Sequence, residues 1–348
     1  MYVVQSYAAA VALCVVTMLC WGSWANTQKL AGARWRFELF YWDYVLGVLL
    51  AAVLFAFTLG SSGAAGRGFL ADLRQAAPES LGWAFFGGVV FNAANLLLVA
   101  AIAIAGMSVA FPVGIGLALV LGVLWNYLGD PSGNSLLLSA GVALVTAAIV
   151  LAAVAYRKLP RHTTGGGAKG LILSVVSGVL MSLFYLLVQC SLAKVSTPGG
   201  LLDVTAANLA RGSLEAGKLT AFTAIVIFSL GILASNFAFN TILMLKPFQG
   251  PPVPVSDYFR GTAGDHLWGV IGGAIWAVGM TLNVAASGVA SPAVSYGLGQ
   301  GATMVAAIWG VFIWREFRQA PPGTGKLLTL MFLGYLIGLS LIVWTKMT

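Results

Sequence analysis

The sequence predicts an all-α polytopic membrane protein of ten transmembrane helices, arranged as two inverted five-helix repeats, and three observations predict it. Of 348 residues, 59% are hydrophobic and only 8% charged, against about 25% charged in soluble domains, so the chain cannot cover itself with a water-facing surface. The apolar residues gather in ten runs, each close to the roughly 20 residues a helix needs to cross the hydrocarbon. Part of the chain also comes back. Val109 to Leu117 returns as Val294 to Ala302 at a shift of 185 positions, which puts Gly114 on Gly299 and Gly116 on Gly301. The same shift puts Trp83 on Trp268, Gly87 and Gly88 on Gly272 and Gly273, and Val99-Ala100-Ala101 on Val284-Ala285-Ala286. Chance identities among apolar letters would not keep a tryptophan and four glycines in register over about 40 residues.

The first run, about Tyr7 to Ala25, lacks a preceding basic segment, which argues for a retained span over a cleaved signal. A basic loop with Lys29, Arg34 and Arg36 follows, then a second span over roughly Phe40 to Gly60 and a glycine-rich connector to Ser80. The third and fourth spans, about Leu81 to Ile104 and Met107 to Leu128, are joined so tightly that they must run antiparallel. The fifth, about Ser135 to Tyr156, ends at Arg157-Lys158 and closes a first repeat over residues 1–158. A linker over 159–169, with Pro160 and three glycines, leads to a second repeat over 170–348. Its spans are expected near Gly170 to Ala193, Leu219 to Leu245, Leu267 to Val289, Pro292 to Trp314 and Leu327 to Thr345. Because five is odd, the second set enters the membrane from the opposite side. Loops after odd-numbered spans carry 12 of the 18 lysines and arginines. That bias puts those loops and the central linker in the cytoplasm and both termini outside.

Composition excludes several classes of function. The net charge of +8 is scattered over short loops and forms no stripe, so no nucleic-acid partner is expected. Cys14, Cys20 and Cys190 fall inside apolar runs and are odd in number, against a disulfide framework. Gly212-Ser-Leu-Glu-Ala-Gly217-Lys218 has the outline of a phosphate loop, but Leu219 stands where a magnesium-binding hydroxyl belongs and no strand is expected before it. There is no His-Glu-x-x-His, no cysteine pair at zinc spacing and no cluster of carboxylates. Neither catalytic residues, nor a metal, nor a cofactor is expected, and the chain reads as a carrier rather than an enzyme.

Polar groups in hydrocarbon are costly unless they face a cavity or a partner, so intramembrane amides are informative. Asn92 and Asn95 share a face of the third span. Trp276 and Asn283 lie seven apart on the eighth, and Tyr296, Gln300 and Thr303 on the ninth. Trp21 and Trp24 on the first span and Tyr185 and Gln189 on the sixth complete a candidate substrate pocket. Amides that donate and accept, with ring faces over the apolar side, suit a small uncharged polar solute. Asn236 and Asn240 on the seventh span read as packing residues. Gly114, Gly116, Gly299 and Gly301 read as hinge or packing positions, with Gly269 and Gly273 letting backbones approach. Asp43 is the one acid expected inside the membrane, one turn into the second span. Desolvation there would raise its pKa toward the working range, which makes it the candidate proton carrier. Lys29 and Glu38 flank the same loop as possible partners for it. His162 and His266 are read as loop residues.

Met1-Tyr2-Val3-Val4-Gln5-Ser6, Tyr41-Trp42-Asp43-Tyr44, Phe57-Thr58-Leu59-Gly60, Asn126-Tyr127-Leu128-Gly129-Asp130 and Trp309 to Phe317 together resemble the ureide permeases. They also resemble bacterial glucose/ribose porters and, more distantly, rhamnose-proton symporters, all of the drug/metabolite transporter superfamily. Inverted repeats in lipid can exchange conformations, so alternating access is expected from the architecture; the resemblance implies ten helices and proton-coupled symport, with the proton as coupling ion and Asp43 at the family's aspartate position. It puts a monosaccharide first as substrate, a ureide or nucleobase such as allantoin or uracil second, and metabolite or drug export third. It implies a bacterial inner-membrane protein, a monomer or weak homodimer, whose partners are its small-molecule substrate and the lipid bilayer.

Overall fold

The computed structural model describes residues 1–32, 35–159, 167–248 and 250–347; Arg34, and Pro160 and His162 within the expected linker, lie outside them. Ten helices in it are long and apolar enough to cross a membrane, and the chain is a multi-pass membrane protein. Spans 1 to 5 are Tyr7–Ala31, Phe37–Phe57, Pro78–Ala105, Pro112–Gly129 and Ser135–Arg157. Spans 6 to 10 are Ala168–Ser191, Ala221–Leu245, Ala263–Ala290, Pro292–Ile313 and Thr324–Trp344. One face of the bundle, the terminal face, carries Met1, Thr345 and the loops that follow even-numbered spans. The other, the linker face, carries Leu159 and the loops that follow odd-numbered spans.

Three elements depart from the sequence expectation. Span 1 does not stop at Ala25 but runs on to Ala31, where Gly32 at φ +84° ends it, so Lys29 sits on a helix and not in a loop. Span 4 opens with a π-helical turn, Phe111–Ile115, where Pro112 has no amide hydrogen to give. Span 9 is interrupted between Pro292–Gly299 and Ala302–Ile308 and ends in a second π turn, Trp309–Ile313. Gly114 and its counterpart Gly299 therefore both fall at irregularities. A side chain on Gly299 would press on Trp21, one on Gly301 on Met18 and one on Gly114 on Leu98. A side chain on Gly116, although the residue is buried, would meet nothing within 4 Å among the described residues.

The loop between spans 6 and 7 holds a small antiparallel sheet: β1 (Val195–Thr197), β2 (Gly200–Leu202) and β3 (Ser213–Leu214), in the order β2-β1-β3. The sequence reading found no strand here, yet β3 lies inside Gly212 to Lys218. That segment does not cradle phosphate. Its Gly217 amide donates to Gln75 Oε1 at 2.6 Å, and the amide of Thr220 beyond it donates to Asp72 Oδ2 at 2.7 Å. Arg67, paired with the buried Asp72 at 2.9 Å, donates to the carbonyls of Leu214, Glu215 and Lys218. The segment is thus a dock for the connector between spans 2 and 3.

The spans pack in matched pairs. Span 3 lies on span 6 as span 8 lies on span 1; span 2 lies on span 8 as span 7 lies on span 3; span 4 lies on span 6 as span 9 lies on span 1. The match extends to single atoms. A methyl on Gly273 would overlap the Tyr44 carbonyl, and one on Gly88 the Phe228 carbonyl. A methyl on Gly47 would overlap the Val270 carbonyl, and one on Gly231 the Phe85 carbonyl. Gly88 and Phe85 are the counterparts of Gly273 and Val270 under the 185-position shift. At each crossing only hydrogen allows the backbones so close.

Candidate functional site

Phe91 and Trp276, counterparts under the same shift, sit halfway along spans 3 and 8 and touch each other, ring centroids 4.3 Å apart. Trp21 and Phe228 each stack on Trp276 at 6.0 Å, and Phe184 lies 5.2 Å from Phe91. Trp21 Nε1 donates to the Trp276 carbonyl at 3.3 Å. These rings fill the middle of the bundle, so the open chamber implied by the candidate pocket is closed there. Rings whose edges and faces meet lose the contacts of an open cavity to one another instead.

Amides flank this layer. Asn92 Oδ1 accepts from Tyr41 OH at 2.9 Å, its Nδ2 donates to Ser235 Oγ at 2.9 Å, and Asn95 Nδ2 donates to Tyr41 OH at 3.1 Å. Asn283 Nδ2 donates to the Ser295 carbonyl at 2.9 Å, while its Oδ1 is buried with no partner among the described residues. Tyr185 OH donates to the Asn283 carbonyl at 3.4 Å, and Tyr296 OH reaches the carbonyls of Ala118 and Met181 at 3.2 Å. Gln189 Nε2 donates to Ser287 Oγ at 3.0 Å, a turn nearer the terminal face. Gln300 lies at the break in span 9, its carbonyl accepting from Thr303 at 2.8 Å. Trp24 packs on Tyr44 at 4.8 Å, and Tyr44 stacks on Tyr41 at 5.2 Å, so Trp24 joins the amides of span 3 only at one remove. Asn240 donates to the Glu38 carbonyl at 2.8 Å, but its Oδ1, like that of Asn283, is buried without a partner among the described residues. Both side-chain polar atoms of Asn236 are buried without partners among the described residues, and Tyr41 is the residue sequence reasoning passed over.

Openings lie on either side of the rings. A cleft of about 880 Å³ on the linker face is lined by Gln28, Trp35, Glu38, Leu96, Val99 and Leu243 among others. It reaches the residue after Asn95. A smaller cavity, about 220 Å³, on the terminal face includes Gln189 and Ser287.

Asp43 sits in the second turn of span 2, one turn deeper than expected, and is buried. Its Oδ1 accepts from Tyr258 OH at 2.5 Å and lies 2.9 Å from His266 Nδ1, and its Oδ2 accepts from Trp35 Nε1 at 3.3 Å. His266 is therefore not a loop residue. Span 8 starts at Ala263, behind a capping box in which Thr262 and Asp265 satisfy each other's backbone amides, and this brings the imidazole to the carboxylate. Gly269 leaves room for both, since a methyl there would overlap the Asp43 side chain. Burial first, and then the Asp43 carboxylate, raise the Tyr258 pKa and keep that hydroxyl a donor. Asp43, Tyr258, His266 and Trp35 thus form one hydrogen-bonded cluster near the linker face. Lys29 and Glu38 do not pair with Asp43: Lys29 binds Glu316 at 2.8 Å and Glu38 binds Arg36 at 2.6 Å.

Residues 40–161 match the Ureide permease family. The chain is 24% identical to Ureide permease 1 of Arabidopsis thaliana over 99% of its own length and 98% of that protein's. It is 28% identical to Ureide permease 3 of the same plant, over 72% of this chain and 77% of that one. A solved crystal structure at 17% identity superposes with a TM-score of 0.55 over 95% of this chain and 96% of the other, a likeness of fold. The chain is thus a ten-span membrane protein similar from end to end to the ureide permeases.

Proposed function

We propose that the chain is a secondary carrier, and no enzyme, for a small uncharged polar solute of the ureide or nucleobase class. The observation that carries this reading is the similarity to named ureide permeases along nearly the whole of both chains. It moves allantoin- and uracil-like solutes ahead of the monosaccharide that the sequence reading put first. Urea-type solutes offer N–H donors and carbonyl acceptors in one plane, which suit the spare carbonyl of Asn283 and the unpartnered amide of Asn236.

The two halves act as inverted repeats, a reading supported by the matched glycine crossings and by the mutual contact of Phe91 and Trp276. Rocking of one half against the other parts the ring layer toward one face and then the other. Asp43 with His266 takes up the coupling proton, and no cofactor or metal takes part. The protein sits in the bacterial inner membrane as a monomer or weak homodimer, and the lysine and arginine bias of its loops supports placing the linker face in the cytoplasm.

Purified protein in liposomes, given labelled allantoin, uracil and glucose under an imposed proton gradient, tests the reading. Allantoin or uracil is expected to accumulate and glucose to stay at background. Accumulation of glucose alone would sink the ureide reading, and accumulation of none would sink the carrier reading. Asp43→Asn is expected to abolish gradient-driven accumulation while sparing exchange of internal for external solute. Undiminished accumulation would remove Asp43 from the coupling step.

A further inference from the structure

We infer that the cavity on the terminal face is a second solute site, separate from the ring layer, that receives a small neutral molecule with urea-type N–H groups before it moves inward. Two segments that carry no assigned role converge on it: Met1 to Val4, and Asn126 with Gly129 and Asp130. At about 220 Å³ it is smaller than the roughly 300–1,000 Å³ of pockets for larger ligands, which restricts it to a molecule of one or two small rings. Asn126 is buried; its Nδ2 is used on the Gly122 carbonyl at 2.7 Å and its Oδ1 has no partner. A buried carbonyl left unsatisfied is costly, and an N–H donor from a solute would relieve it. Gln189 is held by Ser287 through both its Nε2 and its Oε1 and also donates to Tyr185, which leaves one lone pair on its Oε1 to accept from the solute.

Charge at the mouth is balanced. Asp130 lies 3.5 Å from Lys194, and Asp203 faces Asp130, Lys194 and Lys346. Burial first, then Asp130, raise the Asp203 pKa, while the two lysines lower it. The two acids and two lysine ammonium groups cancel, and the Met1 ammonium, which also lines the cavity, is engaged by the Ala65 carbonyl at 2.6 Å, so no strong field selects an ion and the site favours a neutral solute. Leu186, Phe222 and Val284 supply apolar walls for the faces of a planar ring. The ligand class rests on the carrier reading above, whereas the site itself does not.

Cys190 reports on this cavity because it is exposed and lines it, whereas Cys14 is buried and Cys20 lies beside Trp21 near the ring layer. The experiment follows N-ethylmaleimide alkylation of each cysteine in the intact protein by mass spectrometry, with allantoin, uracil or glucose present, alongside uptake in liposomes. Saturating allantoin or uracil is expected to slow alkylation of Cys190 several-fold and leave Cys20 unchanged. Asn126→Leu is expected to raise the half-protecting concentration at least tenfold, the loss of about one buried hydrogen bond. An unaltered rate at Cys190 with every solute overturns the inference, whether or not uptake occurs, and so does protection at Cys20 instead. Protection by glucose alone overturns the proposed ligand class. Protection at Cys190 without uptake keeps the site and overturns the carrier reading.

Discussion

Asn92 and Asn283 are the same side chain in opposite circumstances. Asn92 uses its oxygen on Tyr41 and its nitrogen on Ser235 and the Ile232 carbonyl, whereas Asn283 uses only its nitrogen. Alanine at Asn92 strands a hydroxyl and loosens spans 2, 3 and 7. It is expected to lower the melting temperature, each interhelical bond being worth about 1 kcal/mol. Alanine at Asn283 removes an unengaged acceptor and is expected to raise the solute concentration for half-maximal uptake several-fold, with little change in melting. The reverse pattern would exchange their roles. Amides were legible in the sequence because each stands out in an apolar run. Their partners Tyr41, Ser235 and Ser295 were not, because hydroxyl residues are scattered through most spans and only packing decides which of them meet an amide.

Elements were legible to within a turn where hydropathy sets their ends and misread where capping does. Span 8 looks as though it starts at Leu267 by apolarity, yet Thr262-x-x-Asp265 announces an earlier start, and that missed turn hid His266. Strands of two or three residues, such as β1 to β3, are too short to display a period. The glycines illustrate a further limit. Gly114, Gly116, Gly299 and Gly301 were singled out by the repeat, but the closest crossings use Gly47 with Gly273 and Gly88 with Gly231. Gly273→Ala is expected to destabilise by about 1–3 kcal/mol through overpacking and to broaden the gel-filtration peak. Gly116→Ala, in open space, is expected to be neutral or to stabilise by up to about 1 kcal/mol from helix propensity. Equal melting temperatures for the two variants would mean that spans 2 and 8 have slack to separate.

Across the whole molecule, glycines related by the 185-position shift make equivalent contacts, Gly273 on Tyr44 and Gly88 on Phe228, which supports the proposed duplication. What no single run of letters could convey is the closure of the centre, which depends on rings from spans 1, 3, 6, 7 and 8 arriving at one level. Trp276 is in contact with Trp21, Phe91 and Phe228. Its replacement by alanine is expected to make empty liposome-reconstituted protein leak protons, seen as faster collapse of an imposed gradient by an entrapped pH dye. A gradient as long-lived as with the unaltered protein would put the seal elsewhere. Openings on both faces bring each aqueous bath toward this thin stack of indole and phenyl groups. The transmembrane voltage, worth about 2.3 kcal/mol per elementary charge for each 100 mV, therefore falls chiefly over the closed stretch between the two openings, from Leu96 to Val284, roughly 20 Å at 1.5 Å per helical residue, instead of the full bilayer. A charge carried past Trp276 would cross the steepest part of that drop.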